Sequence, residues 1–191
     1  MKIFTVRHGQ THWNIERRLQ GSNDIPLDET GIAQAKSLGT RLAGEKVDII
    51  YSSDLLRAAK TAEAINAHHN ATIITTPMLR EANFGIYEGR YIEEIAHEIN
   101  WDHPDGGEST ESKFKRIHGF LDEVVAANHE NIIIVAHHGS IKAAICYFLG
   151  LPMSERRKFD VGNTAIHCFE RTSNGKFTMT LENDTSHLIA D

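Results

Sequence analysis

The sequence predicts an α/β protein, a three-layer α/β/α sandwich with a mainly parallel central sheet and a short lid region. Short apolar runs alternate along the chain with segments whose apolar residues recur at helical spacing, an order typical of parallel strands joined by helices. Residues 132–135 are all aliphatic, as expected for a strand buried on both faces. With 191 residues, the chain is predicted to form a single domain, 1–191, with a small lid around 91–108.

The composition excludes several classes of protein. Twenty basic and 26 acidic residues give a net charge of −6, whereas a nucleic-acid interface or a polybasic membrane anchor needs an excess of Lys and Arg. The longest aliphatic run, 132–136, is too short to cross a bilayer, and the apolar start is too short for a signal peptide. Cys146 and Cys168 are too far apart for a redox pair or a thiolate zinc site, so we expect buried, reduced thiols in a cytoplasmic protein.

Three strands and two helices are predicted in the first half of the chain. The predicted strands cover 2–6, 47–51 and 71–75. The first helix is predicted over 30–43, with Asp28 as its cap. Its core-facing residues are Ile32, Ala35, Leu38 and Leu42. The second helix is predicted to follow Asp54 as its cap, and its core-facing residues are Leu55, Ala58, Ala62 and Ile65.

The second half of the chain is predicted to complete the sheet. Residues 91–108 are expected to be irregular, with a weak helix over 91–99. A long helix is predicted from Ser109, and its core-facing residues are Phe114, Ile117, Leu121 and Val124. The strand 131–136 is followed by a helix over 140–149 that Gly150 ends, and two weaker strands are predicted near 165–169 and 177–181.

Charged side chains follow the strands of the predicted sheet, at the edge where such sheets bind ligands. Arg7 and His8 follow the first strand, Arg57 comes shortly after the second, Glu81 after the third, and His137 after the aliphatic strand. Folding alone does not account for such a set, because converging charges must be solvated or paired. It suits phosphoryl transfer, since a phosphate monoester is a multiply charged anion and arginine offers its oxygens a planar fork of donors.

Each of these residues has a structural alternative when taken alone. Arg7 and Arg57 are also compatible with surface charges, and His8 with a buried histidine whose hydrogen bonds are satisfied. The pair His137 and His138 is compatible with metal ligation, but adjacent histidines point apart and no His-Glu-x-x-His or His-x-His pattern accompanies them. We therefore expect no metal. The motifs of nucleotide-binding loops and of serine hydrolases are absent.

Ordered motifs over roughly residues 3–170 resemble those of the histidine phosphatase superfamily, also called the phosphoglycerate-mutase-like family. These motifs are Val6-Arg7-His8-Gly9-Gln10-Thr11 with Asn14, Gln20-Gly21 with Pro26-Leu27, Tyr51-Ser52-Ser53-Asp54-Leu55-Leu56-Arg57-Ala58 with Thr61-Ala62, Leu79-Arg80-Glu81 with Gly85 and Glu88-Gly89, Gly106-Gly107-Glu108-Ser109, and Val135-Ala136-His137. One Arg-His-Gly triplet carries little information, whereas the whole ordered set is specific.

The resemblance implies a covalent phosphohistidine mechanism that needs no cofactor. His8 is expected to attack phosphorus in line through its outer ring nitrogen, while its inner nitrogen donates to a backbone carbonyl. Glu81 is expected to protonate the leaving oxygen and then to take a proton from water. The residues expected to bind the phosphoryl oxygens are Arg7, Arg57 and His137. Further substrate contacts are expected from Thr11, Asn14, Gln20, Gly21 and His138.

This mechanism makes opposite electrostatic demands on two groups. His8 must be neutral to attack, so the two arginines should depress its pKa. Glu81 should have a raised pKa, so that it carries a proton near neutral pH.

His138 departs from the pattern of the resembling family, which usually has glycine directly after its second catalytic histidine. Such a side chain can crowd the pocket, donate to phosphate or point away from it. We expect it to point away or to line the rim, with an effect on substrate size rather than on the chemistry.

The resembling family contains phosphatases and mutases. Mutases similar to this chain carry a longer insertion between the acid and the second histidine, whereas here only about 91–108 is free to form a lid. A mutase must keep water from its phosphohistidine, so a short lid favours a phosphatase that acts on small phosphate esters. The alternative is phosphotransfer of the cofactor-dependent phosphoglycerate mutase type. A non-catalytic phosphate-binding module is a third interpretation, which the complete set of catalytic residues disfavours. The sequence leaves the physiological substrate and the oligomeric state open.

Overall fold

The computed structural model describes residues 1–188, and six strands in it form one sheet. The strands are β1 (Lys2–Arg7), β2 (Ile49–Ser53), β3 (Thr72–Thr76), β4 (Asn131–Ala136), β5 (Ile166–Arg171) and β6 (Phe177–Asp184). Their order is β3-β2-β4-β1-β5-β6. The first four strands pair in parallel, whereas β5 pairs antiparallel with β1 and β6 pairs antiparallel with β5. Residues 189–191, which the predicted domain includes, lie outside the described part of the chain.

Helices cover both faces of this sheet. They are α1 (His12–Ile15), α2 (Glu29–Leu42), α3 (Leu56–Asn66), α4 (Ile92–Ile95), α5 (Thr110–Ala126) and α6 (His138–Leu149). Helices α5 and α6 pack on one face, and α2 and α3 pack on the other. The predicted three-layer α/β class is therefore confirmed.

The central strand β4 faces both layers at once. Ile132 and Ile134 contribute to the core under α5 and α6, whereas Ile133 and Val135 contribute to the core under α2 and α3. All four side chains are buried. Side chains alternate between the two faces of a strand, so a purely aliphatic run is what a strand between two helical layers requires.

Most element boundaries are explained by local signals. Asp28 accepts a hydrogen bond from the backbone N–H of Gly31 and caps α2, as predicted. Ser109 caps α5 by accepting from the N–H of Ser112, and Gly150 ends α6 in the left-handed conformation at φ 64°. Helix α6 begins two residues earlier than predicted, and the weak helix predicted over 91–99 is only the four-residue α4.

Two predictions about side chains are wrong. Asp54 does not cap α3: the capping position is Leu55, and the Asp54 carboxylate accepts two hydrogen bonds from Arg80, at 2.7 and 2.6 Å. This bidentate, charge-assisted pair occupies both oxygens of the Asp54 carboxylate, and its partner lies 26 residues further along the chain, where sequence reasoning does not find it. Ile32 does not face the core either. It is 46% exposed, because the buried stripe of α2 passes through Gly31 and Ala35 beside it.

The segment 91–108, predicted as the lid, has a small core of its own. Ile95 and Ile99 pack with Leu19 and Tyr87, and all four are buried. The hydroxyl of Thr110 donates to the carbonyl oxygen of Trp101 at 3.1 Å, which joins the segment to the start of α5. The segment is therefore packed against the loop that follows α1 rather than extended into solvent.

Two expectations from composition concern membranes and cysteines. Between residues 1 and 188, no helix combines the length and the apolar character needed to cross a lipid bilayer. Cys146 and Cys168 are buried free thiols, as predicted.

The close packing of α2 on α3, the helix that carries Arg57, depends on Gly39. A Cβ at this position would lie 2.6 Å from the carbonyl oxygen of Ala64 on α3, so the two backbones would have to separate. We expect Gly39→Ala to lower the free energy of unfolding by about 1–3 kcal/mol in urea denaturation.

Gly119 provides the matched control, because it also lies inside a helix but, within residues 1–188, no atom beyond its chain neighbours and the backbone of its own helix lies within 4 Å of its Cβ position. Gly119→Ala should stabilise the protein by about 0.5–1 kcal/mol through helix propensity. Equal changes at the two positions would contradict the packing argument.

Candidate active site

A cavity of about 790 Å³ opens at the edge of the sheet where β1 and β4 end. Nine of the ten predicted site residues line it, namely Arg7, His8, Asn14, Gln20, Gly21, Arg57, Glu81, His137 and His138. The tenth, Thr11, is buried behind the wall, where its hydroxyl accepts a hydrogen bond from the N–H of Asn14 and caps α1. Residues far apart in sequence therefore meet where the parallel strands end, as the strand-end argument predicts.

His8 lies directly after β1 and is held in one tautomer. Its Nδ1 is 2.7 Å from the carbonyl oxygen of Gly9. A carbonyl only accepts, so Nδ1 carries the hydrogen and Nε2 keeps its lone pair. Burial, together with the charges of Arg57 and Arg7, holds the pKa of His8 well below its usual value. The imidazole is therefore neutral at neutral pH, as the sequence predicts, although burial contributes more than the arginines.

The loop after β1 is locked against both helices beneath it. The N–H of Gly9 donates to the hydroxyl of Thr61 at 3.1 Å, and that hydroxyl donates to the carbonyl oxygen of Arg57 at 2.7 Å. A Cβ on Gly9 would lie 2.5 Å from the carbonyl oxygen of Gly31, so this position requires glycine. These contacts explain why glycine and threonine occur in the two motifs.

Arg57 lies in the first turn of α3 and is fully buried. Its guanidinium donates to the carbonyl oxygens of Asn23 at 2.6 Å and Gly21 at 2.9 Å, and its Nε donates to Nδ1 of His137 at 3.2 Å. Burial lowers the pKa of Arg57 to about 10, so the group stays charged at neutral pH. Its orientation is fixed by protein acceptors, and an anion would find the charge already in place.

Arg7, at the end of β1, supplies the second guanidinium. One of its terminal nitrogens donates to the carbonyl oxygen of Val161 at 2.7 Å. Its buried Nε has no hydrogen-bond partner within the described residues 1–188, a state that an anionic ligand would relieve. Burial lowers the pKa of Arg7 to about 10, with an opposing effect from Glu81, and it also stays charged.

His137 follows β4, and its ring centroid lies 5.1 Å from that of His8. Because Nδ1 accepts from Arg57, Nε2 carries the hydrogen and donates to the hydroxyl of Ser53 at 2.8 Å. The two histidines therefore have opposite tautomers. Burial and the charge of Arg57 hold the pKa of His137 well below its usual value, so it too is neutral.

Glu81 is a carboxylate, contrary to the expectation of a raised pKa. Its oxygens accept from the N–H groups of Gly139 at 2.7 Å and Ala82 at 3.0 Å, and Nζ of Lys113 lies 3.6 Å from Oε1. Burial raises the pKa of Glu81, but Lys113 and the two N–H groups together outweigh burial and lower it below its usual value. The expectation is wrong because the sequence argument did not include Lys113.

Two ion pairs fix the loop that carries Glu81. Arg80 is paired with Asp54 at the end of β2. Arg116 on α5 donates to the carbonyl oxygen of Arg80 at 3.2 Å and pairs with Glu108 at 2.9 and 2.6 Å. Glu108 of the Gly-Gly-Glu-Ser motif therefore orients Arg116, and Arg116 in turn holds the loop that carries Glu81.

The remaining predicted residues form the far wall of the cavity. Oδ1 of Asn14 accepts from the amide of Asn163 at 3.3 Å and from the N–H of Thr11 at 3.1 Å. Gly21 has a positive φ of 53°, and Gln20 precedes it with a buried side chain. His138 is exposed at the cavity mouth, with Nδ1 3.3 Å from the carbonyl oxygen of Val161.

Most of the cations that line the cavity were missed by sequence reasoning. They are Arg17, Arg18, Lys113, Lys142, Arg156 and Arg157. Lys113 had a detectable signal, since it shares the buried stripe of α5 with Ile117 and Leu121, where a charge is unusual. Three aromatic side chains also line the cavity, Trp13, Phe84 and Trp101.

Among residues 1–188, no group of three or more His, Cys, Asp or Glu side chains is arranged to hold a metal ion.

The fold and the site together define an α/β protein whose sheet-edge cavity is lined by two buried, neutral histidines and two guanidinium groups. The family model described as histidine phosphatase superfamily (branch 1) matches residues 3–185. The chain belongs to this superfamily.

Its relatives include proteins with different names. A putative phosphoserine phosphatase of Hydrogenobacter thermophilus is 34% identical over 176 residues, which cover 86% of this chain and 87% of that protein. A probable phosphoglycerate mutase of Cronobacter sakazakii is 33% identical over 178 residues, which cover 87% of this chain and 83% of that protein.

A solved phosphoserine phosphatase from Entamoeba histolytica, in complex with 3-phosphoglyceric acid, is also similar to the chain. It has a TM-score of 0.88 and 32% identity, and the match covers 98% of this chain and 99% of that one.

The two buried neutral histidines should make the protein less stable in mild acid. In the unfolded chain they have pKa values near 6.5, whereas in the folded protein the pKa values of His8 and His137 lie well below this. Below pH 6.5 the unfolded state therefore binds more protons, at a cost of up to about 1.4 kcal/mol per pH unit for each group. We expect the free energy of unfolding, measured in urea, to fall between pH 7 and about pH 5.5.

His8→Gln should reduce this slope, while His68→Gln, at an exposed position, should leave it unchanged. A slope that is the same in both variants would contradict the assignment of a neutral, buried His8.

Proposed function

We propose that this protein is a phosphatase that hydrolyses small phosphate monoesters through a phosphohistidine on His8, with Glu81 as proton donor and acceptor. The observation that carries the proposal is the state of His8: its Nδ1 is hydrogen-bonded to the Gly9 carbonyl, so a neutral Nε2 is available beside the guanidinium groups of the buried Arg57 and the half-buried Arg7. Membership of the superfamily and the phosphatase names among its relatives support it.

In the first step, Nε2 of His8 forms a bond to phosphorus as the ester P–O bond breaks. Glu81, a carboxylate in the free site, must carry a proton at this point, and it passes that proton to the leaving oxygen. Arg7 and Arg57 hold the phosphoryl oxygens, and because both side chains are fixed by backbone acceptors, little reorganisation is needed as charge develops. His137 is close enough to His8 to contact the same phosphoryl group.

In the second step, water attacks the phosphohistidine. The water oxygen bonds to phosphorus while Glu81 takes a proton from that water, and the N–P bond breaks to restore the lone pair on Nε2. A carboxylate that already accepts two backbone N–H bonds is oriented for this role.

We propose that residues 91–108 form the lid of a single domain. Trp101, which is 38% exposed, lines the cavity from this segment. The lid is anchored at its base, where Arg18 donates to the hydroxyl of Tyr91 at 2.6 Å. A lid of this length leaves water access to the phosphohistidine, which favours hydrolysis.

Phosphotransfer of the phosphoglycerate mutase type is the second candidate. It is favoured by the 33% identity with the probable phosphoglycerate mutase of Cronobacter sakazakii. A mutase would have to hold its product for a second phosphorylation before water reaches His8.

Replacing the nucleophile tests the catalytic proposal. We expect His8→Ala to lower kcat/KM for p-nitrophenyl phosphate by about 10³-fold or more, because the covalent route is lost. His68→Ala, at an exposed position just after α3, is the control and should behave as the wild type. Equal turnover by wild type and His8→Ala would exclude a catalytic histidine at this position.

Product analysis separates the two candidates. With 3-phosphoglycerate as substrate, we expect release of inorganic phosphate to outpace isomerisation, because the short lid admits water. The two products are measured by phosphate assay and by ³¹P NMR. Isomerisation faster than phosphate release would reverse the assignment in favour of a mutase.

A further inference from the structure

Lys113 occupies a position where a lysine is unusual. It lies on the buried stripe of α5 with Phe114 and Ile117, and its side chain is only 10% exposed. Its ammonium lines the cavity and, within the described residues, is paired only with Glu81, at 3.6 Å. Lysine is rarely buried unless it is paired, so the pair with Glu81 is what allows an ammonium group at this position.

Gly139 makes this pairing possible. A Cβ at Gly139 would lie 2.5 Å from Oε1 of Glu81 and 2.6 Å from Nζ of Lys113. The N–H of Gly139, near the start of α6, donates to the other carboxylate oxygen at 2.7 Å. The carboxylate and the ammonium therefore meet in a space that only glycine leaves open, where little water screens their attraction.

We propose that Lys113 is a positioning residue that holds Glu81 as a carboxylate, ready to act as the base in phosphohistidine hydrolysis, while the proton for the leaving group enters with the substrate. This inference rests on the proposed phosphatase function. It assigns the order in which Glu81 gains and loses its proton, and it gives a reason why hydrolysis is favoured over retention of the phosphoryl group.

The first step needs Glu81 protonated and the second needs it as a carboxylate. The substrate can supply the proton for the first step. A phosphate monoester has a second pKa of about 6, so near neutral pH part of it is a monoanion. Its proton moves to Glu81 and then to the ester oxygen as the P–O bond breaks and His8 bonds to phosphorus. In the second step the proton from water moves to Glu81 and leaves with the phosphate product, so protons and bonds balance over the cycle.

Removing Lys113 should leave Glu81 with a higher pKa. Burial already raises the pKa of this carboxyl, and Lys113 is the largest of the opposing effects. The other charged or titratable groups that face Glu81 are Arg7 on β1, Arg57 on α3, and His138 and Lys142 on α6. None of these forms an ion pair with Glu81 within 4 Å in the described chain, so none replaces Lys113 directly.

The pH profile of Lys113→Met tests the inference. Phenyl phosphate is the substrate, because its leaving group needs a proton. The reactive complex holds one proton between the Glu81 carboxyl and the substrate phosphate. Because the carboxyl has the lower pKa of the two, the acidic limb of kcat/KM falls as Glu81 of the free enzyme becomes protonated. We expect Lys113→Met to move this limb to higher pH by about one unit or more. Lys113→Arg, which keeps the charge, should keep the limb near that of the wild type.

Lys115 on the same helix is exposed, and Lys115→Met is the matched control, with an unmoved limb. In a Glu81→Gln background, Lys113→Met should have no further effect on the limb.

At neutral pH, the steady-state fraction of acid-labile ³²P label on His8 should rise several-fold in Lys113→Met, because hydrolysis loses its base. Titration of the Glu81 carboxyl by ¹³C NMR gives a readout that does not depend on turnover.

The outcomes separate the two proposals. A labelled His8 in the wild type with identical acidic limbs and Glu81 titrations in wild type and Lys113→Met would overturn the role of Lys113 and leave the phosphatase intact. No label on wild-type His8 during turnover would instead overturn the proposed function on which this inference rests.

Discussion

Holding the buried Arg57 and the half-buried Arg7 beside a neutral imidazole is the constraint that shapes the site. Taking a charge out of water is costly unless its donors are satisfied, and here backbone carbonyls satisfy several of them, although Nε of Arg7 has no partner within residues 1–188. Val161 accepts from Arg7, and Gly21 and Asn23 accept from Arg57. The loops around the sheet edge are therefore held in place by the cations they surround. A molecule with a net charge of −6 thus concentrates positive charge in one cavity.

The same cations also set the proton positions. Arg57 donates to Nδ1 of His137, which forces the hydrogen onto Nε2 and toward Ser53. His8 has the opposite tautomer because Gly9 accepts from its Nδ1. Two histidines 5.1 Å apart are thereby suited to different tasks, one with a free lone pair and the other already linked to a guanidinium. Ser53 belongs to the second motif, but its hydrogen bond with His137, 84 residues away, could not be inferred from that motif.

Sequence reasoning was most successful where the signal is local or carried by the family. The strand-end positions of Arg7, His8 and His137 follow from the order of strands, and the aliphatic run of β4 follows from burial on two faces. Long-range partners could not be predicted. Asp54 was expected to cap a helix but pairs with Arg80, and the protonation state of Glu81 depends on Lys113, 32 residues further along the chain.

The central claim is that His8 is a neutral imidazole with its hydrogen on Nδ1, and ¹⁵N NMR of the histidine rings measures this directly. The account predicts that the His8 ring shows the Nδ1–H tautomer and keeps the same nitrogen shifts from pH 8 down to about pH 5.5. A ring that titrates near pH 6.5, or one that carries its hydrogen on Nε2, would contradict the account.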